Sequence, residues 1–130
     1  MADVNRGGRP LSPHLQIYRM YVSMVASGLH RMTGFGMIVT AVLVVWWFIA
    51  AATSPEYFAI VDGLLTSWIG TLVMVVSLWG LCHHLLNGIR HLIWDTGRML
   101  DTEAVDKTAW FVLLGAPALA ILVLLIVLLG

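Results

Sequence analysis

Charge is what this chain has least of. Seven basic and seven acidic side chains make up 11% of its 130 residues, where a soluble domain carries charge on roughly a quarter of its positions. The two signs cancel and no basic block occurs, so nucleic acid is excluded as an expected partner. Cysteine is almost missing as well. The lone Cys82 rules out an internal disulfide, and without a cysteine cluster the chain has no iron–sulfur site of its own. Neither a glycine-rich nucleotide-binding motif nor a separate soluble domain is present. The first 19 residues lack the apolar core of a signal peptide and the Arg/Ser-rich character of an organellar import leader.

What fills the space is apolar sequence. Residues 32–55 contain no charged side chain, residues 63–89 none apart from His83 and His84, and residues 108–130 none. Each run exceeds the ~20 residues that cross a ~30 Å hydrocarbon core at 1.5 Å per residue. A soluble three-helix bundle would need a polar face on every helix, and residues 39–49 and 118–129 offer none. The expected fold is therefore an all-α membrane protein, three transmembrane helices in an up-down-up bundle, spanning about 31–53, 63–92 and 107–129. Residues 1–30 form an N-terminal arm and a short interfacial helix over 20–29, and residues 31–130 the spanning domain. Gly7, Gly8, Pro10 and Pro13 keep the arm from being a long helix. Pro117 should kink the third span.

The distribution of Lys and Arg gives an orientation. Arg6, Arg9, Arg19 and Arg31 precede the first span, and Arg90, Arg98 and Lys107 lie between the second and third, while residues 53–62 and the C-terminus have none. By the positive-inside rule the N-terminus and the 90–107 loop face the cytoplasm or matrix, and the C-terminus the other side. The expected location is a bacterial inner membrane, or the mitochondrial inner membrane for an organellar chain. Trp46, Trp47, Trp68, Trp94 and Trp110 fall near span ends, where they read as interfacial anchors or packing.

Against this background the histidines stand out, because a titratable group in hydrocarbon is costly. His83, His84 and His91 sit at the charged end of the second span. Antiparallel spans bring residues 27–31, with Ser27, His30 and Arg31, to the same membrane depth. On α-helical spacing Ser77, Gly80, His84, Asn87 or Gly88, and His91 share one face, with His83 turned about 100° away. Such a face admits a flat ligand close to the backbone, or else a small-residue contact with another helix. A haem with axial histidine is the most economical partner for a buried imidazole. A hydrogen-bonded structural histidine and a proton relay are the other readings, the latter weakened by the absence of Asp and Glu from the spans. Zinc would need three or four ligands at spacings the chain does not offer. On the haem reading, His30, Arg31 and Arg90 stand where haem carboxylates would emerge, and Arg suits bidentate pairing with carboxylate.

Three motifs carry a resemblance over nearly the whole chain: Arg9-Pro-Leu-Ser-Pro-His-Leu-Gln-Ile-Tyr-Arg19, Ser27-Gly-Leu-His-Arg-Met-Thr-Gly34, and His84-Leu-Leu-Asn-Gly-Ile-Arg-His91 followed by Asp95. With these the sequence resembles the cytochrome b membrane-anchor subunits of succinate dehydrogenase (respiratory complex II). The resemblance implies a second small anchor subunit, with one haem b held between the two and one axial histidine from each. His84, four residues before the Gly of Gly-x-Arg-His, matches the axial ligand. His30 and Arg31 match residues near the haem propionates, and His91 shares the His84 face. Ser27 and Arg31 match residues lining a ubiquinone pocket, and Asp95 a position close to it. An iron–sulfur subunit and a flavoprotein subunit would dock on the cytoplasmic side, so that electrons from succinate reach ubiquinone. Quinol:fumarate reductase is the same chemistry reversed, and a non-redox membrane scaffold is the rival from another class.

Overall fold

A computed structural model describes residues 18–130, and the expected arm over residues 1–17 lies outside them. The described chain is helical, with α1 at Val22–Thr53, α2 at Pro55–Leu65, α3 at Trp68–Asp95 and α4 at Thr102–Leu129. α1, α3 and α4 are each long and apolar enough to cross a membrane. Large apolar side chains stay on the outside: Leu128 is 77% exposed, Phe35 74% and Ile60 70%. The buried core is instead made largely of small residues, Ala26, Ala50, Cys82, Ala109, Ala116 and Ala120 among them. A monomer in water would not expose so much hydrocarbon. Close helix contacts through small residues, with large ones facing outward, are what lipid as a solvent selects.

Two boundaries differ from the sequence expectation. The short interfacial helix over 20–29 is not a separate element, because its residues from Val22 onward are the first turns of α1. Neither Gly28 nor any proline interrupts the backbone ladder there, so the spanning helix runs on through the interface. The second span begins at Trp68 instead of 63, because residues expected as a loop and as the start of that span form α2. Ser54 caps α2 by accepting from the Tyr57 N–H at 3.2 Å, and Pro55 occupies its first turn. At this exposed end the Glu56 carboxyl, bonded by its own backbone N–H and by Ser54, lies below the usual carboxylate range. Ser67 then caps α3 by accepting from the Gly70 N–H. α2 folds back on the end of α1: Trp46 Nε1 donates to the Tyr57 hydroxyl at 2.7 Å, and Trp47 Nε1 to Asp62 at 3.0 Å. These two tryptophans therefore pin an unexpected helix. Trp68 and Trp110 remain exposed, as interfacial anchors would be.

At the other end, Gly97 takes a positive φ of 75°, the left-handed conformation that closes a helix, and α3 stops. Asp101 caps α4 by accepting from the Ala104 N–H at 3.0 Å, and α4 runs unbroken through Pro117. α3 and α4 meet through Cys82, Ala116 and Ala120, flanked by Leu78, Trp79 and Leu86. α1 and α3 meet at Gly80, against Thr33 and Met37, and at a 2.6 Å hydrogen bond between Thr40 and Ser77.

Arg90 is the main polar tie between α3 and α4. The residue is 4% exposed. Nε donates to Thr108 Oγ1 at 3.0 Å, Nη2 to the Val105 carbonyl at 2.9 Å and Nη1 to Asn87 Oδ1 at 3.3 Å. It also lies 4.1 Å over the Trp94 ring. Each of its three nitrogens has a partner within this chain, on Asn87 or α4, so the expectation that Arg90 faces a haem carboxylate is corrected. Helical phase turns it to α4. Arg90→Leu should destabilise the chain by about 2–3 kcal/mol, since it strips charged donors from buried acceptors. The measurement is the Tm of the solubilised protein, with Arg90→Lys recovering only part of the loss because it lacks the planar fork.

Candidate functional site

The histidines converge where the sequence places them, at one end of the α1–α3 contact. The His30 ring on α1 stacks on His84 of α3, centroids 3.8 Å apart and planes 25° from parallel. His91 lies 6.0 Å and His83 6.2 Å from the His30 ring. Ser27, His30 and Arg31 are thus level with residues 83–91, as antiparallel spans require.

The four rings have different environments. His83 is fully buried. Its Nε2 faces the Ala26 carbonyl at 3.3 Å, and its Nδ1 is buried without a partner. It ties α3 to α1 and presents no open edge to a ligand. His84 is half-buried, and its Nε2 lies 2.7 Å from the His30 carbonyl oxygen. A carbonyl only accepts, so Nε2 carries the proton and the other ring nitrogen keeps its lone pair. His91 is exposed, with Nδ1 donating to the Asn87 carbonyl one turn back at 2.7 Å, which leaves its own Nε2 outward. His30 is partly buried, and its Nδ1 has no partner.

The expected single stripe on α3 divides in two. Ser77, Gly80 and His84 do face one way, but Ser77 and Gly80 are taken up by α1 itself. There the small-residue helix contact describes the stripe, and Ser77 and Gly80 also line an apolar groove along the α1–α3 seam. A Cβ on Gly88 would meet open space, so the face is also free beyond His84. Asn87 turns inward, fully buried, with its Oδ1 on Arg90.

A metal held by protein groups alone is not built here. Among the described residues no three His, Cys, Asp or Glu side chains are grouped to hold one. The donor set does fit a haem taking one histidine from this chain. Imidazole metal ligands commonly donate their second N–H to a backbone carbonyl, which fixes the tautomer and raises ligand basicity. His84 makes its carbonyl bond through Nε2, the nitrogen a haem would take, so the ring has to turn from the His30 carbonyl to hold one, and His83 lacks an accessible edge. His30 lies face to face with His84, so the two rings cannot be axial ligands on opposite sides of one iron.

Ser27 and Arg31, one turn apart on α1, line a groove of about 310 Å³ with Ser23, Met24 and Gly28. Arg31 is exposed. A hydroxyl and a guanidinium in one groove suit a ligand with oxygen acceptors. Asp95, the last residue of α3, is exposed, and the structure gives it no bond to this groove. A second groove of about 550 Å³, lined among others by Leu29, Thr33, Gly36 and Met37, runs down the α1–α3 seam and is almost wholly apolar.

Comparison with known proteins decides the lineage. Residues 5–127 match the model of the succinate dehydrogenase/fumarate reductase transmembrane subunit family. This chain belongs to that family. It is 44% identical over 126 residues to the succinate dehydrogenase cytochrome b556 subunit of Paracoccus denitrificans, covering 97% of each chain. Similarity to the protein of the same description from Rickettsia prowazekii (strain Madrid E) is 38% over 114 residues, 88% of this chain and 89% of the relative. The succinate dehydrogenase cytochrome b560 subunit of Marchantia polymorpha is 33% identical over 120 residues, with 88% and 87% covered. The matched family span takes in α1 to nearly the end of α4, so both the histidine cluster and the Ser27–Arg31 groove lie inside it.

Gly34, inside the Ser27–Gly34 motif, also borders the site. A Cβ there would stand 3.1 Å from His84 Cε1. Its place four residues after His30 was the available signal. Helical phase already set His84 apart from His83, and burial adds that His83 is sealed while His84 is half-buried.

Proposed function

We propose that this chain is the membrane-anchor cytochrome b subunit of a succinate:ubiquinone oxidoreductase. One observation carries the reading: half-buried His84 sits level with the Ser27–Arg31 groove in a chain of this family. His84 would hold a haem b shared with a second small anchor subunit, and His30, Arg31 and His91 would lie beside it, with Arg31 suited to pairing with its carboxylates. When bound, haem supplies a one-electron redox centre at the membrane interface. The chain's own residues do the rest. Ser27 donates a hydrogen bond to a ubiquinone carbonyl oxygen, and Arg31 holds the negative charge that develops there on reduction. The groove lies near the interface, which leaves the apolar quinone tail in lipid.

The iron–sulfur and flavoprotein subunits dock on the side that carries Arg31, Arg90, Arg98 and Lys107, the cytoplasm or matrix by the positive-inside rule. Succinate is oxidised on those subunits and not on this chain. The family description also names fumarate reductase. The relatives described above are succinate dehydrogenase subunits, and this favours the forward direction. A dithionite-reduced optical spectrum of the complex purified with its partners is the test. The expected result is b-type bands at one haem per complex, with the three partner subunits co-purifying. A complex with neither bands nor partners would leave only a non-redox scaffold.

A further inference from the structure

At the end of the bundle away from the histidines, a carboxylate stands in a stretch without a basic residue. Asp62 lies in the last turn of α2, where the helix dipole already presents partial negative charge, so an added negative group is unfavourable there. Residues 53–67 contain Glu56 and Asp62 but no Lys or Arg, and Arg31 and Arg90 belong to the opposite ends of their helices. Trp47 Nε1 donates to one Asp62 oxygen at 3.0 Å. That bond does not call for a charge, since an asparagine oxygen would accept it as well.

The surroundings of the carboxylate are aromatic. Asp62 lines a pocket of about 340 Å³ with Trp47 and Phe48, together with apolar Val44, Leu65 and Met74. The Trp47 and Phe48 rings meet edge to face, centroids 5.2 Å apart and planes 73° from parallel, so their faces form a corner. Phe58 of α2 packs on Trp47 at 5.3 Å and steadies it. Phe48 is 60% exposed, which leaves the corner open to whatever surrounds the bundle. Aromatic faces beside a carboxylate suit an ammonium group, which is drawn to the ring quadrupoles and neutralises the acid. The depth suits a lipid. Trp47 lies six residues, about 9 Å, before the end of α1, near the boundary between hydrocarbon and headgroups.

We propose that this pocket binds the ammonium headgroup of a phospholipid from the leaflet at the α2 end. Asp62 is its counter-ion, Trp47 and Phe48 are its aromatic walls, and an acyl chain lies on Val44, Leu65 and Met74. The site joins three helices, because Asp62 comes from α2, both rings from α1 and Met74 from α3. An anionic headgroup that carries no cation is not recognised there. The proposal does not depend on haem or quinone.

The test uses the purified complex, stripped of lipid in mild detergent and incubated with dioleoyl phosphatidylethanolamine, phosphatidylcholine or phosphatidylglycerol. Bound lipid is counted by native mass spectrometry in the parent and in variants, and the difference isolates this pocket from other lipid contacts. Asp62→Asn keeps an acceptor for Trp47 and removes only the charge. It should weaken binding of the two ammonium lipids by roughly 5-fold and leave phosphatidylglycerol unchanged. Phe48→Leu removes one exposed ring face and should weaken the same two lipids by roughly 2-fold. Asp62→Glu should retain the preference. Parental binding of the ammonium lipids in both Asp62→Asn and Phe48→Leu, or an equal loss of all three lipids, overturns the proposal. If Asp62→Asn does not assemble, Phe48→Leu decides by the same criterion. Displacement of the lipid by soluble choline at equal concentration would put a free ammonium compound in the pocket and overturn the lipid assignment.

Discussion

Replacing His84 with Leu removes the dithionite-reduced b-type bands of the complex, or reduces them more than about tenfold at equal protein. The size follows from coordination chemistry: loss of an outer-shell partner alone typically costs 10–100-fold in metal affinity, and loss of the ligand itself costs at least that. His83→Leu has a different result. His83 is fully buried against Ala26, so its loss lowers the Tm and leaves the bands in place. Spectra of the two variants side by side discriminate the roles. Bands lost in His83→Leu and kept in His84→Leu would reverse the assignment. Bands kept in both would remove this chain from haem ligation.

Arg31→Leu lowers succinate-driven ubiquinone reduction by about 10- to 100-fold, the usual cost of losing a charged donor where negative charge develops. Ser27→Ala costs less, roughly 5-fold, as one neutral hydrogen bond is worth about 1 kcal/mol. Both residues line one groove on α1, away from the buried core, so neither change should unfold the chain. Succinate oxidation with an artificial acceptor that bypasses quinone should therefore survive in both variants. Arg31→Lys keeps the charge without the planar fork and should fall between parent and Arg31→Leu. Equal loss of both activities would indicate failed assembly and defeat the quinone-site assignment.

The two predictions differ in how far the sequence could have made them. Ser27 and Arg31 are four apart, and one turn of helix suffices to put them in one groove. Choosing between His83 and His84 needs knowledge of what lies against each ring. Helical phase favours His84, but phase alone does not say that Ser77 and Gly80 on the same stripe are covered by α1. Arg90 shows the same limit. Its sequence neighbours and charge suited a carboxylate partner, yet its three nitrogens end on Asn87, Val105 and Thr108. Nothing local in the sequence announces which helix a side chain leaving α3 will meet. α2 was missed for another reason: residues 55–65 are apolar enough to merge into the next span unless the Ser54 and Ser67 caps are read as two starts.

The sequence by itself determined that three apolar helices would form, which ends of them carry charge, and that Ser27, His30 and Arg31 would be level with the α3 histidines. Those follow from hydrocarbon thickness and from antiparallel chain return, both of which act on one helix at a time. Only the tertiary structure decided which histidine is sealed and which keeps an accessible edge, where Arg90 spends its donors, and that Gly34 lies under the His84 ring. These depend on the rotation of each helix about its axis, which is set by small-residue contacts between helices and not by the pattern within any of them.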